Sequence, residues 1–166
     1  KSVSVTYKSI LLQLDLPETL VSDSLKSLAI RSENTNGEFV ATPLDVKIYK
    51  LKAEQRLIRP RYWDRPDQFV MSKSEYIKLF PNDEYDNETD QNTWPREKLF
   101  FEKKETLEAG KKLQLNKLEK LPAGIYQVEI LTKDKNGEEV KLVKNVALTN
   151  PLEKQLTTTD YLWKEG

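Results

Sequence analysis

Two runs in this chain gather side chains that could do chemistry, and they carry opposite charge. Asp83, Glu84, Asp86, Glu88 and Asp90 form an acidic stretch. Hard cations such as calcium take several carboxylate oxygens, so the stretch could hold one. An EF-hand loop requires Gly at its sixth position, and counting from Asp86 that position is Gln91. The stretch is therefore read as a solvated loop without metal. Arg59, Arg61 and Arg65 flank Tyr62 and Trp63, a combination that could stack nucleic-acid bases or a glycan. Lys plus Arg is 27 and Asp plus Glu is 27, a net charge of zero. A nucleic-acid binder needs a basic excess. The arginines are accordingly expected to stack on their own rings and to pair with Asp64 and Asp67.

Paired carboxylates could run glycoside hydrolysis, but no spacing singles out two of them. The chain has neither His nor Cys. That excludes histidine-assisted serine or cysteine nucleophiles, thiolate chemistry and the usual zinc sites. It also excludes disulfides, so cysteine usage cannot name a compartment. No Gly-rich phosphate loop and no Gly-x-Ser-x-Gly elbow is present. No catalytic, cofactor-binding or metal-binding residue is expected, and the chain is not read as an enzyme.

The elements that would position these runs read mostly as strands. Val3, Val5 and Tyr7 alternate with polar residues, and Ile10, Leu12, Leu14 and Leu16 alternate in the opposite parity. One strand cannot keep both sets on one face, so a bulge or a change of sheet is expected at Lys8-Ser9. Further strands are expected at Leu25 to Ser32, Leu44 to Leu51, Leu99 to Phe101, Leu113 to Leu115, Gly124 to Ile130 and Val140 to Leu148. The last is expected to slip phase near Lys144. Asn34-Thr35-Asn36-Gly37 and Lys135-Asn136-Gly137-Glu138 are tight-turn signals, since Asn and Gly tolerate positive φ. Seven strands without alternating helices predict an all-β, antiparallel Ig-like sandwich over residues 1–151. Tyr126, at the start of the penultimate strand, sits where a tyrosine corner would lock such a sandwich.

Residues 53–97 break the pattern and read as a mostly irregular insertion. Ser72 to Phe80 predicts a short helix, with Ser72 and Glu75 in capping-box positions. Ordering so long an excursion needs buried anchors to offset its entropy cost. Trp63, Phe69, Tyr76, Phe80 and Trp94 are expected to supply them, with Asn82 to Asn92 left exposed and most open to proteases. Residues 152–166, carrying Tyr161 and Trp163, read as a C-terminal linker to a next domain. The first residue is not Met, and the chain reads as a piece of something longer. No apolar run approaches the roughly 20 residues of a membrane span.

Four groups of residues carry a family resemblance. They are Leu14-Asp15-Leu16-Pro17 with Leu25 to Arg31; Asn34 to Val40 leading to Val46 through Leu51; Arg61 to Phe69 followed by Leu79-Phe80-Pro81; and Pro122 to Tyr126 with Lys133 to Gly137. Together they resemble a macroglobulin (MG) domain of the bacterial α2-macroglobulin-like proteins. The resemblance implies a structural building block of a large envelope protein, periplasmic or outer-membrane-associated, that traps proteases after cleavage of a bait segment. Partners would be neighbouring domains of the same parent and, through the parent, proteases; nucleic acid and direct membrane insertion are not expected. The thioester of some members needs a Cys, which this chain lacks. The alternative is an Ig-like glycan-binding or adhesin module, which would expose an aromatic platform at Tyr62, Trp63 and Trp94.

Overall fold

The computed structural model describes residues 9–54, 56–59, 61–115 and 121–150. The expected strand at Val3, Val5 and Tyr7 and the segment 152–166 lie outside them. Among the described residues the chain is mostly β, with eight strands, one α-helix and two short 3₁₀ turns. The first sheet has the order β1-β3-β6, formed by β1 (Leu11–Asp15), β3 (Ser27–Glu33) and β6 (Leu113–Gln114). The second contains β2 (Thr19–Val21), β4 (Pro43–Leu51), β5 (Arg96–Thr106), β7 (Gly124–Lys133) and β8 (Glu139–Thr149), in the order β2-β8-β7-β4-β5. Every pairing is antiparallel except that of β2 with β8.

The strand count exceeds expectation by one, and the extra strand is β2. Pro17 cannot donate to a ladder, and just there the chain leaves the first sheet. Pairing resumes on the second sheet where Ala147 N–H donates to Glu18 O at 2.7 Å. The expected phase slip near Lys144 is absent. The β7–β8 ladder runs without a shift from Gly124↔Leu148 to Lys133↔Glu139, and Val140, Leu142, Lys144, Val146 and Leu148 keep one parity throughout. Lys144 is simply a polar residue on a mostly apolar face.

A single apolar cluster draws on both sheets. Leu12, Leu14, Leu28 and Ile30 come from the first, and Val46, Ile48, Val128, Ile130, Val146 and Leu148 from the second. These are alternate positions along each strand, as a side-chain period of two requires. Two slips shape β5: Ile48 faces Phe101 but Tyr49 faces Leu99, and Lys50 faces Lys98 but Leu51 faces Arg96. Phe100 and Glu97 are the extra residues. The first bulge lets both Phe100 and Phe101 pack on the core, and Phe100 meets Tyr126 edge-on at 5.6 Å.

Tyr126 is fully buried, and its hydroxyl donates to Pro122 O at 2.8 Å. Two matched turns close the hairpin ends. Asn34 and Asp134 each accept from the N–H groups two and four residues on, and Gly37 and Gly137 supply φ values of 81° and 83°. The same local chemistry, Asn-Gly-Glu after a polar acceptor, thus makes the same turn twice.

β7 is buried on both sides. Opposite its core residues lie Ile125, Gln127 and Glu129, at 2%, 6% and 4% exposure. Arg96, the first residue of β5, covers the two polar ones. Its Nε and Nη2 donate to Gln127 Oε1 at 3.0 and 2.8 Å, Nη2 reaches Glu129 Oε2 at 2.5 Å, and the guanidinium lies 4.2 Å from the Tyr49 ring centroid. Lys141 Nζ adds a second cation to Glu129 at 2.6 Å. Ile125 is covered instead by Trp94, with Leu51 and Ala147 beside it. The excursion between β4 and β5 therefore packs back onto the outer face of the larger sheet.

Candidate functional site

The excursion leaves the sandwich after Leu51 and returns at Arg96, closed at its neck by Lys52 N–H donating to Pro95 O at 2.9 Å. Its helix α1 (Lys73–Leu79) starts at Ser72, with the expected capping box. Ser72 Oγ accepts from Glu75 N–H, and Glu75 Oε2 accepts from Ser72 N–H at 3.0 Å. The helix presents Lys73 and Tyr76 to the acidic segment.

The basic and acidic runs turn out to be each other's partners. Arg59 Nε binds Asp83 Oδ1 at 2.5 Å, and Arg65 Nε binds Asp86 Oδ1 at 2.5 Å. Arg61 donates to the carbonyls of Tyr85 and Asp86 at 3.1 and 2.6 Å, and its Nε lies 4.0 Å from Glu84. Arg56 donates to Pro81 O and Asp83 O at 3.0 and 2.9 Å. Pairing with Asp64 and Asp67 was expected, but the acceptors come from about two dozen residues further along the chain. Stacking on a ring does occur once, where Arg65 lies 5.5 Å from the Phe69 centroid.

The acidic segment is also less exposed than its composition implies. Glu84 and Glu88 are each only 6% exposed. Glu84 accepts from the Thr89 backbone and hydroxyl and from Arg61 N–H. Glu88 Oε2 accepts from the N–H groups of Tyr85 and Asp86 at 3.1 and 2.7 Å, while Oε1 meets Lys73 Nζ at 2.8 Å and Arg56 Nη2 at 3.6 Å. Burial pushes the Glu88 carboxyl up, but Lys73 and the backbone donors outweigh it and hold the pKa below the usual carboxylate value. Among the described residues no group of three or more His, Cys, Asp or Glu side chains is placed to hold a metal ion.

The aromatic residues divide into three groups. Tyr85, which sequence reasoning did not single out, is the centre of the first. It stacks on Phe69 at 4.3 Å, lies 5.3 Å from Tyr76, and donates to Met71 O at 2.8 Å; Tyr76 in turn meets Phe80 at 5.1 Å. This cluster is shallow, because Phe69 and Phe80 remain 37% and 44% exposed. Trp94 forms the second group alone, half-buried on Leu51, Ile125 and Ala147, with Nε1 donating to Glu88 O at 2.7 Å. Trp63, Phe69 and Phe80 correct the expectation of buried anchors: all three are exposed, Trp63 most of all at 60%, beside Tyr62 at 92%. Leu57, Val70 and Leu79 are also exposed, so among the described residues most of the large apolar side chains open to solvent belong to this one segment.

Between the insertion's neck and its acidic segment lies an open cleft of about 670 Å³, lined among others by Lys52, Glu54, Lys73, Glu88, Trp94 and Pro95. No helix among the described residues is long and apolar enough to cross a membrane. No family model, no curated protein and no solved structure matches this chain.

Proposed function

We propose that this chain is a non-catalytic structural and interaction domain, an MG-type Ig-like sandwich within a larger α2-macroglobulin-like protein of the bacterial envelope. The observation that carries the proposal is the surface of the insertion. Its basic and acidic runs pair largely with each other, yet Tyr62, Trp63, Val70, Leu79 and Phe80 face solvent. A concentration of exposed large apolar side chains in one segment suits a contact site. A neighbouring domain of the same parent is the natural cover, since interfaces within one chain commonly bury about 600–1,500 Å².

The sheet order supports the Ig-like part of the reading. Leaving β2 aside, the first, second and fifth strands share one sheet, and the third, fourth, sixth and seventh share the other. This differs from the constant-type immunoglobulin arrangement only in the sheet that takes the fourth strand. The buried Tyr126 hydroxyl bond, four residues back to Pro122, matches a tyrosine corner. Protease trapping belongs to the parent: this chain would orient its neighbours and would contribute no covalent chemistry.

Hydroxyl-radical footprinting tests the proposal. Tyr62, Trp63 and Phe80 should label readily in the isolated chain and be protected in the parent polypeptide. Equal labelling in both would overturn it. The exposure of Tyr62 and Trp63 also favours the adhesin alternative, although Trp94 does not join their platform. A glycan array that reads out through Tyr62 and Trp63 would favour that alternative.

A further inference from the structure

The cleft at the insertion's neck has features that a scaffold role does not use. Its size, about 670 Å³, lies within the range of small-molecule sites. Trp94 and Pro95 supply an apolar wall. Trp94 is set before any ligand arrives, by packing on Leu51, Ile125 and Ala147 and by its Nε1 bond to Glu88 O at 2.7 Å. The polar lining offers both hydrogen-bond roles. Lys52 and Lys73 donate, Glu54 and Asp86 accept, and exposed Asn87 can do either. Glu88 holds Lys73 at the cleft through the 2.8 Å ion pair and is itself fixed by two backbone N–H groups.

We infer that this cleft binds a neutral saccharide of two or three pyranose units. The C–H face of a pyranose is apolar and weakly positive, and it complements the negative face of an indole ring. Each sugar hydroxyl donates and accepts, which suits a lining of carboxylates, ammonium groups and an amide. An anionic ligand would meet Glu54, Asp86 and Glu88, and a cationic one Lys52 and Lys73. A wholly apolar ligand would strip water from those ions without replacing its hydrogen bonds. The site is distinct from the exposed pair Tyr62 and Trp63, and the inference does not rest on the scaffold reading.

The test is a ¹H–¹⁵N NMR titration of the whole chain with cellotriose, chitotriose and maltotriose. The tryptophan indole N–H signals and the Ala53 and Asn87 amides report the site. With at least one sugar, the Trp94 indole and these amides should shift saturably while the Trp63 indole does not. A Lys52→Ala/Glu54→Ala double variant removes two exposed rim side chains and should weaken binding about tenfold, which is 1.4 kcal/mol. Its spectrum away from the cleft should be unchanged. Trp94→Phe should abolish the effect; if it also disorders the insertion, the rim variant decides. No saturable shift with any of the three sugars, a shift centred on Trp63, or full affinity in the rim variant would each overturn the inference.

Discussion

Ile48 in the sandwich and Glu88 in the insertion are buried to nearly the same degree, at 0% and 6% exposure, yet different physics holds each in place. Ile48 sits among leucines, valines and isoleucines from two facing sheets. Its contribution is non-directional and tracks the apolar area removed from water. Glu88 is held by two N–H groups, an ammonium and a guanidinium. That contribution is directional, and losing one partner leaves a buried charge uncompensated. The comparison teaches that a segment too polar to build its own core can still fold if its charges are arranged to meet one another. Some of its apolar side chains, Tyr62, Trp63 and Val70 among them, are then left open to solvent.

The largest expected effect comes from the sandwich side. Ile48→Ala deletes a fully buried side chain and should cost about 2–5 kcal/mol. Because Trp94 rests on Leu51, Ile125 and Ala147, the insertion should lose its seat when the sandwich melts. Circular dichroism and Trp94 fluorescence should therefore report one urea transition at a lower midpoint. An insertion that outlasts the sandwich would break this dependence.

Glu88→Ala should show the opposite asymmetry. It removes the acceptor of the Tyr85 and Asp86 N–H groups and of Lys73 and should cost roughly 2–3 kcal/mol, but only within the insertion. Amide exchange should rise at Tyr85 and Asp86 and stay unchanged in β7. Uniform acceleration across both regions would show that they form one cooperative unit. The pH dependence has a definite sign. Burial raises the pKa of Glu88 and of Glu129, but the cations around each outweigh it and leave the folded values depressed. Their stabilisation is thus complete above the unfolded carboxyl value of about 4.3 and is lost as pH falls through the lower folded values. The apolar core does not titrate. Acidification should loosen the Glu88 segment and the Arg96 cross-link before the sandwich unfolds, and exchange measured from neutral pH downward would reveal that order. The same bonding revises the expected proteolytic site: first cuts should fall near Tyr62 to Val70, not between Asn82 and Asn92.

Tyr126→Phe comes next. It removes the bond to Pro122 O and should lower stability by about 1–2 kcal/mol. The phenyl ring should still meet Phe100 edge-on, so the packing loss is small. An unchanged urea midpoint would show that the hydroxyl bond is exchanged for water at no net cost.

What could be read in the sequence follows the range of the interactions. The two Asn-Gly-Glu turns, the Ser72–Glu75 capping box and the alternation in β3, β4 and β7 are set by residues within a few positions of each other. All appear where local chemistry places them. β2 was not legible, because Thr19–Val21 is too short to show a period. The start of β5 at Arg96 was hidden by charged residues that look like loop, and its bulge at Phe100 is set by pairing with β4. The candidate site was half legible. Both charged runs stand out in the sequence, but local chemistry pairs each with solvent or near neighbours, since nothing local shows that Arg61 reaches Asp86. Trp94 was singled out without its partners, because Ile125 and Ala147 lie on the sheet face that alternation assigns to solvent. Trp63 looked like an anchor by size alone, and size does not say which way a ring points.

The smallest effect, and the finest test of the comparison, is at the start of α1. The helix spans Lys73–Leu79, too short to be stable in isolation. The capping box at Ser72 satisfies donors that seven helical residues cannot satisfy themselves. Ser72→Ala should cost about 1 kcal/mol, and Ser72→Thr should recover most of it. The helix holds Lys73 against Glu88 and Tyr76 against Tyr85, so fraying its first turn should weaken both contacts. Amide exchange should then rise at Glu75 and Tyr76 and, by a smaller factor, at Tyr85 and Asp86, with β7 and β8 unaffected. If Tyr85 and Asp86 do not respond, helix and acidic segment are separate patches on the sandwich. If β7 responds as well, even this distant cap is coupled to the core, and the division between a sandwich held by apolar burial and an insertion held by paired charge fails.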